Sequence, residues 1–305
     1  METKVIEYIL SIAKNKSISK AADELFMTQS ALNQQLMKLE KELGTHLFIR
    51  TRSHWELTDA GKLYVENSKK ILQIKKQTYD EIQDLSQKWN GKITIGITPE
   101  RGIQMFTAIF PQIHKKYPNT TFQPIEADVE SQIKMLDSNE LDISFQTISG
   151  RKYKHFSYRK ILDEPFYICI PKSHPAAYKD QKKPSEYPVI SLTEFKEDLF
   201  TLVKKTSTMR VLIDSLFDDA GFKPKLLFES TSMRTMQKLT ENGQCCSIIP
   251  RCYAIPSMNI AYFIPDTKSS WELVAVHAKN HYINKAARDF ITMASDYWRS
   301  HLYIE

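Results

Sequence analysis

The sequence predicts an α+β multidomain chain with an N-terminal winged helix-turn-helix, a long linker helix and a C-terminal half of two α/β lobes. Three patterns predict it. In residues 29–43, Leu32, Leu36, Leu39 and Leu43 recur at steps of four, three and four, one buried face of a 3.6-residue helix, behind a break at Met27 and Thr28. Residues 59–88 read as one long helix with a narrow apolar seam. Beyond residue 92, period-two strands alternate with helices, which argues for a mostly parallel sheet with right-handed crossovers. At 305 residues the chain is long enough for two or three domains.

Taken in order, residues 4–15 form a first helix with Ile6, Ile9 and Ile12 at helical spacing, a pattern unlike a signal peptide. Residues 19–26 form a second, whose small pair Ala21 and Ala22 lets a neighbouring helix approach closely. Gly44 stops the third helix. Residues 48–52 and 55–57 read as two short strands around Ser53 and His54, a wing carrying Arg50 and Arg52. Thr58 is an N-cap with Asp59 in the first turn. The seam of the following helix is Tyr64, Ile71, Ile74, Thr78, Ile82 and Leu85. So narrow a stripe cannot bury itself within one chain, and it predicts pairing with a second copy. Trp89, Asn90 and Gly91 end the rod.

In the C-terminal half, strands at 92–98, 120–127 and 141–146 alternate with helices at 102–116 and 129–136. A basic loop at 151–160 leads to strands at 166–170, 200–203, 226–229 and 245–249, with helices at 210–220 and 231–242. A strand at 271–276 and a helix from about Asn284 complete the chain. Two such units joined by crossing strands leave a cleft, the natural ligand site beyond the carboxyl ends of parallel strands. The expected boundaries are 1–58 for the winged unit, 59–89 for the linker and 90–305 for the lobes, the first about 90–162 with 267–305 and the second about 163–266.

The open face of the third helix carries Ser30, Asn33, Gln34, Met37 and Lys41, with Thr28 and Gln29 at its start. Amides pair bidentately with adenine N6 and N7 in a major groove, and hydroxyls contact bases or phosphates. A helix N-terminus adds N–H groups that suit a phosphate. The alternative is a solvated amphipathic helix whose polar face has no partner. The whole string Tyr8, Ser17, Ala21-Ala22, Leu25, Thr28 to Leu32, Leu39 to Gly44, Leu47-Phe48, Arg50, Leu57-Thr58 and Ala60-Gly61 resembles the winged helix-turn-helix of the LysR-type transcriptional regulators. NGQCCSIIPR and DEPFYICIPKSHP resemble stretches of that family's second half. The likeness spans essentially the whole chain and is tighter over residues 1–65 than beyond residue 90.

The resemblance implies a sequence-specific regulator on double-stranded promoter DNA, controlled by a small organic acid or amino acid in a periplasmic-binding-protein-like effector domain. It implies a homodimer through the linker helix, a homotetramer, contact with RNA polymerase, no cofactor or metal, and a cytoplasmic location. Ser17, Thr28, Gln29, Ser30, Asn33, Gln34, Lys38, Arg50 and Arg52 are then the expected DNA-binding residues. Thr98, Glu100, Asp128, Gln146, Thr147, Thr206, Ser207 and Thr208 are the expected effector residues, each of which could equally be an N-cap or turn residue. Glu100 and Asp128 stand where the family commonly has small hydroxyl residues, which suggests an effector with an amine besides a carboxylate.

Composition agrees with a folded regulator without proving one: 42% hydrophobic, 26% charged, net charge +6. No apolar run approaches a transmembrane helix. Cys245, Cys246 and Cys252 cluster within eight positions, which invites a metal or redox reading. Yet Cys245 and Cys246 sit in a buried-strand pattern where neighbours face opposite ways and a free cysteine acts as a small hydrophobe, so metal or redox chemistry is not expected of these or of Cys169. The family's peroxide-sensing branch carries its cysteines near residues 204–210, where this chain has none. There is no phosphate loop, no nucleophile elbow and no HExxH; His277 and His281 lack further ligands, and no enzyme is expected. The rival readings are a solute-binding protein whose N-terminal part only dimerises, and a DNA-binding protein without an effector.

Overall fold

The computed structural model describes residues 2–50, 55–150, 152–179, 187–254, 257–267 and 270–301. It divides into two compact units, Met1–Gln87 and Lys88–Glu305.

In the first unit, α1 (Thr3–Asn15), α2 (Ile18–Glu24) and α3 (Gln29–Leu43) precede the hairpin β1 (Phe48–Arg50) and β2 (Trp55–Leu57), and α4 (Asp59–Ser86) follows. Side-chain caps open three of the four helices. Ser17 accepts the Lys20 N–H at 3.4 Å, Thr28 the Ala31 N–H at 3.2 Å and Thr58 the Gly61 N–H at 3.0 Å. The α2 helix stops two residues earlier than the sequence suggests. Phe26 turns left-handed at φ 52°, and the Met27 N–H closes on the Ala22 carbonyl at 2.9 Å.

Ile9, Ile12, Ala21, Ala22, Leu32, Leu36, Leu39, Leu47 and Phe48 form this unit's core. Leu43, expected on the same buried face, is instead 44% exposed, because the core passes from Leu39 to Leu47 beyond the turn at Gly44. Gly61 is required where α4 crosses the hairpin: a Cβ there would lie 2.0 Å from the Leu47 carbonyl oxygen. At 28 residues, α4 is a rod of about 42 Å. Ile74, Ile82 and Leu85 on it are 65%, 57% and 86% exposed, an apolar stripe that the described residues of this unit leave open.

The second unit begins β3 (Gly91–Ile97), α5 (Arg101–Lys116), β4 (Thr120–Glu126), α6 (Val129–Asp137) and β5 (Ile143–Ile148). Then come β6 (Phe156–Pro171), the two-residue β7 (Val189–Ile190), β8 (Leu199–Val203), α7 (Thr208–Asp219), β9 (Lys225–Ser230) and α8 (Met233–Glu241). The elements β10 (Cys246–Pro250), β11 (Ile260–Pro265), β12 (Ser270–Ala278) and α9 (Lys285–His301) complete it. Among the described residues the strand order is β4-β3-β5-β12-β6-β10-β8-β9, with β11 on β6 and β7 on β11.

Strand β3 is parallel to β4 and β5, and β8 is parallel to β9 and β10. Antiparallel β6 and β12 lie between these groups. The stretch 151–160 is thus not simply a basic loop: from Phe156 it is strand, paired along Phe156–Pro165 with β12, and Arg159 and Lys160 sit on that ladder. Beyond Pro165 the same strand pairs with β10 and β11, so it passes from one lobe into the other. Strands β7 and β11 were not expected from the sequence.

Two lobe cores result. Ile93, Ile95, Ile97, Met105, Phe106, Phe290 and Trp298 pack between the first sheet and α5 and α9. Phe166, Phe200, Leu202, Ile213, Phe217, Met236 and Ile248 fill the second lobe. Among the described residues no helix is long and apolar enough to cross a membrane.

Candidate nucleic-acid interface and inter-lobe cleft

The N-termini of α2 and α3 meet. The Ser19 hydroxyl donates to Gln29 Oε1 at 3.0 Å, which leaves the Gln29 amide N–H groups facing outward. Ser17 and Thr28 cap the two helices, and the Thr28 and Ser30 hydroxyls lie 3.2 Å apart. One turn on, Asn33 Nδ2 approaches Met37 Sδ at 3.6 Å, while Gln34 and Lys38 are exposed. Ser30, Asn33, Gln34 and Lys38 therefore share one open face. Ser19 was not among the expected residues; its signal was a second hydroxyl in the first turn of α2.

Arg50 differs from the free wing cation the sequence suggests. Its Nη2 donates to Glu40 Oε2 at 3.0 Å, and its guanidinium lies 5.0 Å from the centre of the Trp55 ring. Arg52 lies outside the described residues.

In the second unit the carboxyl ends of β3, β4 and β5 carry most of the expected effector residues. The Thr98 carbonyl accepts the Gly102 N–H at 3.0 Å as α5 begins, and a Cβ on Gly102 would lie 2.6 Å from Ile97 Cβ. Glu100, at φ 59° and ψ −79°, occupies backbone space that costs a non-glycine residue about 1–3 kcal/mol. Its side chain does not cap α5. Glu100 Oε1 instead accepts from the Ser232 hydroxyl at 3.0 Å, across to the N-cap of α8 in the second lobe. Sequence reasoning missed Ser232, which reads as an ordinary helix cap.

Asp128 behaves as the plain N-cap of α6. It accepts the Ser131 N–H at 2.8 Å and the Ser131 hydroxyl at 3.0 Å, and that backbone bond, outweighing burial, holds its carboxyl below the ordinary range. Gln146 and Thr147 are both buried, but successive residues on β5 face opposite sides of the sheet. Gln146 belongs to a polar chain on the α6 side: Gln132 Nε2 donates to the Ala127 carbonyl at 2.7 Å, Ser144 donates to Gln132 Oε1, and Gln146 Nε2 donates to Ser144 at 2.8 Å. The direction of that chain leaves Gln146 Oε1 as the end that accepts. In the second lobe Ser207 caps α7 through the Met209 N–H at 3.3 Å, with Thr206 and Thr208 exposed beside it.

Behind Glu100, a buried network joins the lobes. Arg101 Nη2 donates to Glu164 Oε2 and lies 2.9 Å from Cys252 Sγ. Glu164 also accepts the Cys252 N–H at 2.8 Å and the Trp271 indole N–H at 2.7 Å. Burial alone would raise the Glu164 carboxyl, but Arg101 beside it holds it below its ordinary value. Burial pushes the Cys252 thiol well up, so it rests as the neutral thiol. Among the described residues, no three His, Cys, Asp or Glu side chains gather as a metal site. His281 pairs with Asp142 at 3.1 Å.

Comparison with known proteins places both units. A family model described as the bacterial regulatory helix-turn-helix protein, lysR family, matches residues 3–62, and one described as the LysR substrate binding domain matches residues 86–299. The chain is 28% identical over 312 residues to the uncharacterized HTH-type transcriptional regulator YcgK of Bacillus subtilis, covering 97% of this chain and 94% of that one. Its fold is similar to a full-length OxyR variant from Pseudomonas aeruginosa, with TM-score 0.68, 20% identity and coverage of 100% and 98% of the two chains. It is also similar to full-length CbnR complexed with its target DNA, with TM-score 0.58, 19% identity and coverage of 99% and 100%.

Proposed function

The chain belongs to the LysR family of bacterial helix-turn-helix regulators and is a DNA-binding transcriptional regulator with an effector-binding domain; on that premise, we propose that an amine-bearing carboxylic acid, held between the two lobes, controls its grip on promoter DNA. Residues 1–58 read the DNA, 59–89 dimerise and 90–305 take the effector. Thr28, Gln29, Ser30, Asn33 and Gln34 approach base edges, with Ser17 and Lys38 on the phosphates. The exposed stripe Ile74, Ile82 and Leu85 supports a homodimer through α4, and pairs of dimers make a homotetramer on half-sites roughly 34 Å apart. The protein works in the cytoplasm, where contact with RNA polymerase turns binding into regulation.

The observation that carries the effector class is the Glu100 to Ser232 hydrogen bond. A ligand ammonium displacing the Ser232 hydroxyl would replace a bond in which only the carboxylate is charged by an ion pair in which both partners are. Gln146 Oε1, the accepting end of its chain, favours a donor as well. The ligand carboxylate suits the α7 N-terminus at Thr206, Ser207 and Thr208, whereas Asp128 is engaged in capping. Binding must favour one lobe arrangement over another, with a coupling of about 1–3 kcal/mol for a typical regulator. The test is a thermal-shift screen of amino acids against simple dicarboxylic acids. Stabilisation by an amino acid, lost in Glu100→Gln, is expected; stabilisation by a dicarboxylic acid alone would overturn the amine.

A further inference from the structure

Glu40 is an acid where the α3 pattern asks for an apolar residue. It follows Leu39 on the buried stripe and is 5% exposed. Taking a lone carboxylate out of water is costly, so such a group must be matched by donors. Glu40 is matched three times: Oε1 accepts the Leu47 N–H at 2.8 Å, while Oε2 accepts Arg50 Nη2 at 3.0 Å and lies 3.0 Å from His46 Nδ1. All three partners belong to the stretch that leaves α3 and becomes β1. Arg50 then lies over Trp55, the residue directly opposite it in the hairpin register. The chain of contacts runs from the recognition helix, through one carboxylate and one guanidinium, to both strands of the wing.

We propose that Glu40 is a positioning residue for DNA binding, and that by pairing with Arg50 it keeps this arginine from serving as a phosphate contact. An arginine already neutralised by a carboxylate adds no net charge to the DNA-facing surface. Moving it onto a phosphate would strand Glu40, a buried charge whose remaining partners are a backbone N–H and the largely exposed His46 ring. The wing is therefore set in place by an internal ion pair, and phosphate neutralisation falls to other cations.

The inference rests on the DNA-binding reading, and counterion release tests it separately, because each phosphate contact contributes about 0.9 to the slope of log K against log salt. The full chain is titrated with a duplex from upstream of its own gene at several salt concentrations. Arg50→Met is expected to weaken binding with the slope unchanged. Glu40→Gln is expected to steepen the slope by about 0.9, as the released Arg50 reaches a phosphate, and the double variant to return it to the wild-type value. A purely structural role for Glu40 would weaken binding without steepening the slope. Arg50→Met losing about 0.9 of slope, or folded Glu40→Gln leaving it unchanged, overturns the inference while wild-type binding stands. Should Glu40→Gln not fold, Arg50→Met decides alone. A wild-type chain that binds no DNA overturns the DNA-binding reading as well.

Discussion

The Glu100 carboxylate accepts a 3.0 Å hydrogen bond from the Ser232 hydroxyl, so one residue at the start of α5 reaches the cap of α8 in the opposite lobe. Its backbone is left-handed at φ 59°, strain that ordinary helix initiation does not require. Ser232→Ala should therefore leave the fold intact and lower the midpoint of thermal unfolding only slightly, since Ser232 also caps Thr235 at 3.2 Å. Glu100→Gln should abolish the response to amine effectors while leaving DNA affinity without effector unchanged. An unchanged dose response in Glu100→Gln would remove Glu100 from the site.

Base reading by α3 is tested at Gln29 and Asn33. Either residue changed to Ala should cost about 1–3 kcal/mol on the specific site and relax base preference there. The check is a competition titration against random DNA; equal losses on both duplexes would argue against base contact.

Arg101 and Glu164 form a buried ion pair at the lobe crossing. Arg101→Met would leave the buried Glu164 charge with its two N–H donors but no cation beside it, and breaking a buried pair typically costs about 3–5 kcal/mol. The pH sign follows from the lowered Glu164 carboxyl: its contribution is full above the ordinary value of 4.5 and is lost as pH falls through the lower folded value. Denaturant midpoints of wild type and Arg101→Met should converge at acid pH, once the carboxyl is protonated.

Glu24 offers an independent acid probe in the first unit. Lys14, with Asn15 and Ser11, lowers its pKa from 4.5 to about 2. The stability it lends α1 and α2 should be full above pH 4.5 and fade between there and about pH 2. The pair is largely solvent-screened, so roughly 1 kcal/mol or less is at stake. NMR titration of the Glu24 carboxyl in wild type and Lys14→Met reads this directly; a normal wild-type pKa would contradict the geometry.

Dimerisation through α4 predicts that Ile74→Glu combined with Ile82→Glu dissociates the protein. Sedimentation equilibrium should then report a smaller species than wild type at the same concentration. An unchanged mass would place the dimer contact elsewhere.

The helices were legible because their signals are local. Thr58 announces a start through its hydroxyl cap, Gly44 announces an end, and the leucine spacing of α3 marks its buried face up to Leu39. What escaped depends on partners distant in sequence. Strand β6 reads as a basic loop at Arg159 and Lys160, and its strand character comes from pairing with β12 more than one hundred residues on. Arg50 looks like a free cation until Glu40 is placed beside it, although an acid on the leucine stripe was a visible oddity. Ser232 looks like a cap, which it is; only the folded lobes bring Glu100 to it. Asp128 shows the opposite case, where the local signal for an N-cap is met directly in the fold.

The most direct test of the central claim is a footprint on DNA upstream of the protein's own gene, with and without a pooled small-metabolite extract. An effector-controlled regulator predicts an extended protected region that shortens or shifts when the extract is added. Protection that ignores the extract would contradict effector control, and no protection at low salt on any promoter would contradict the DNA-binding account itself.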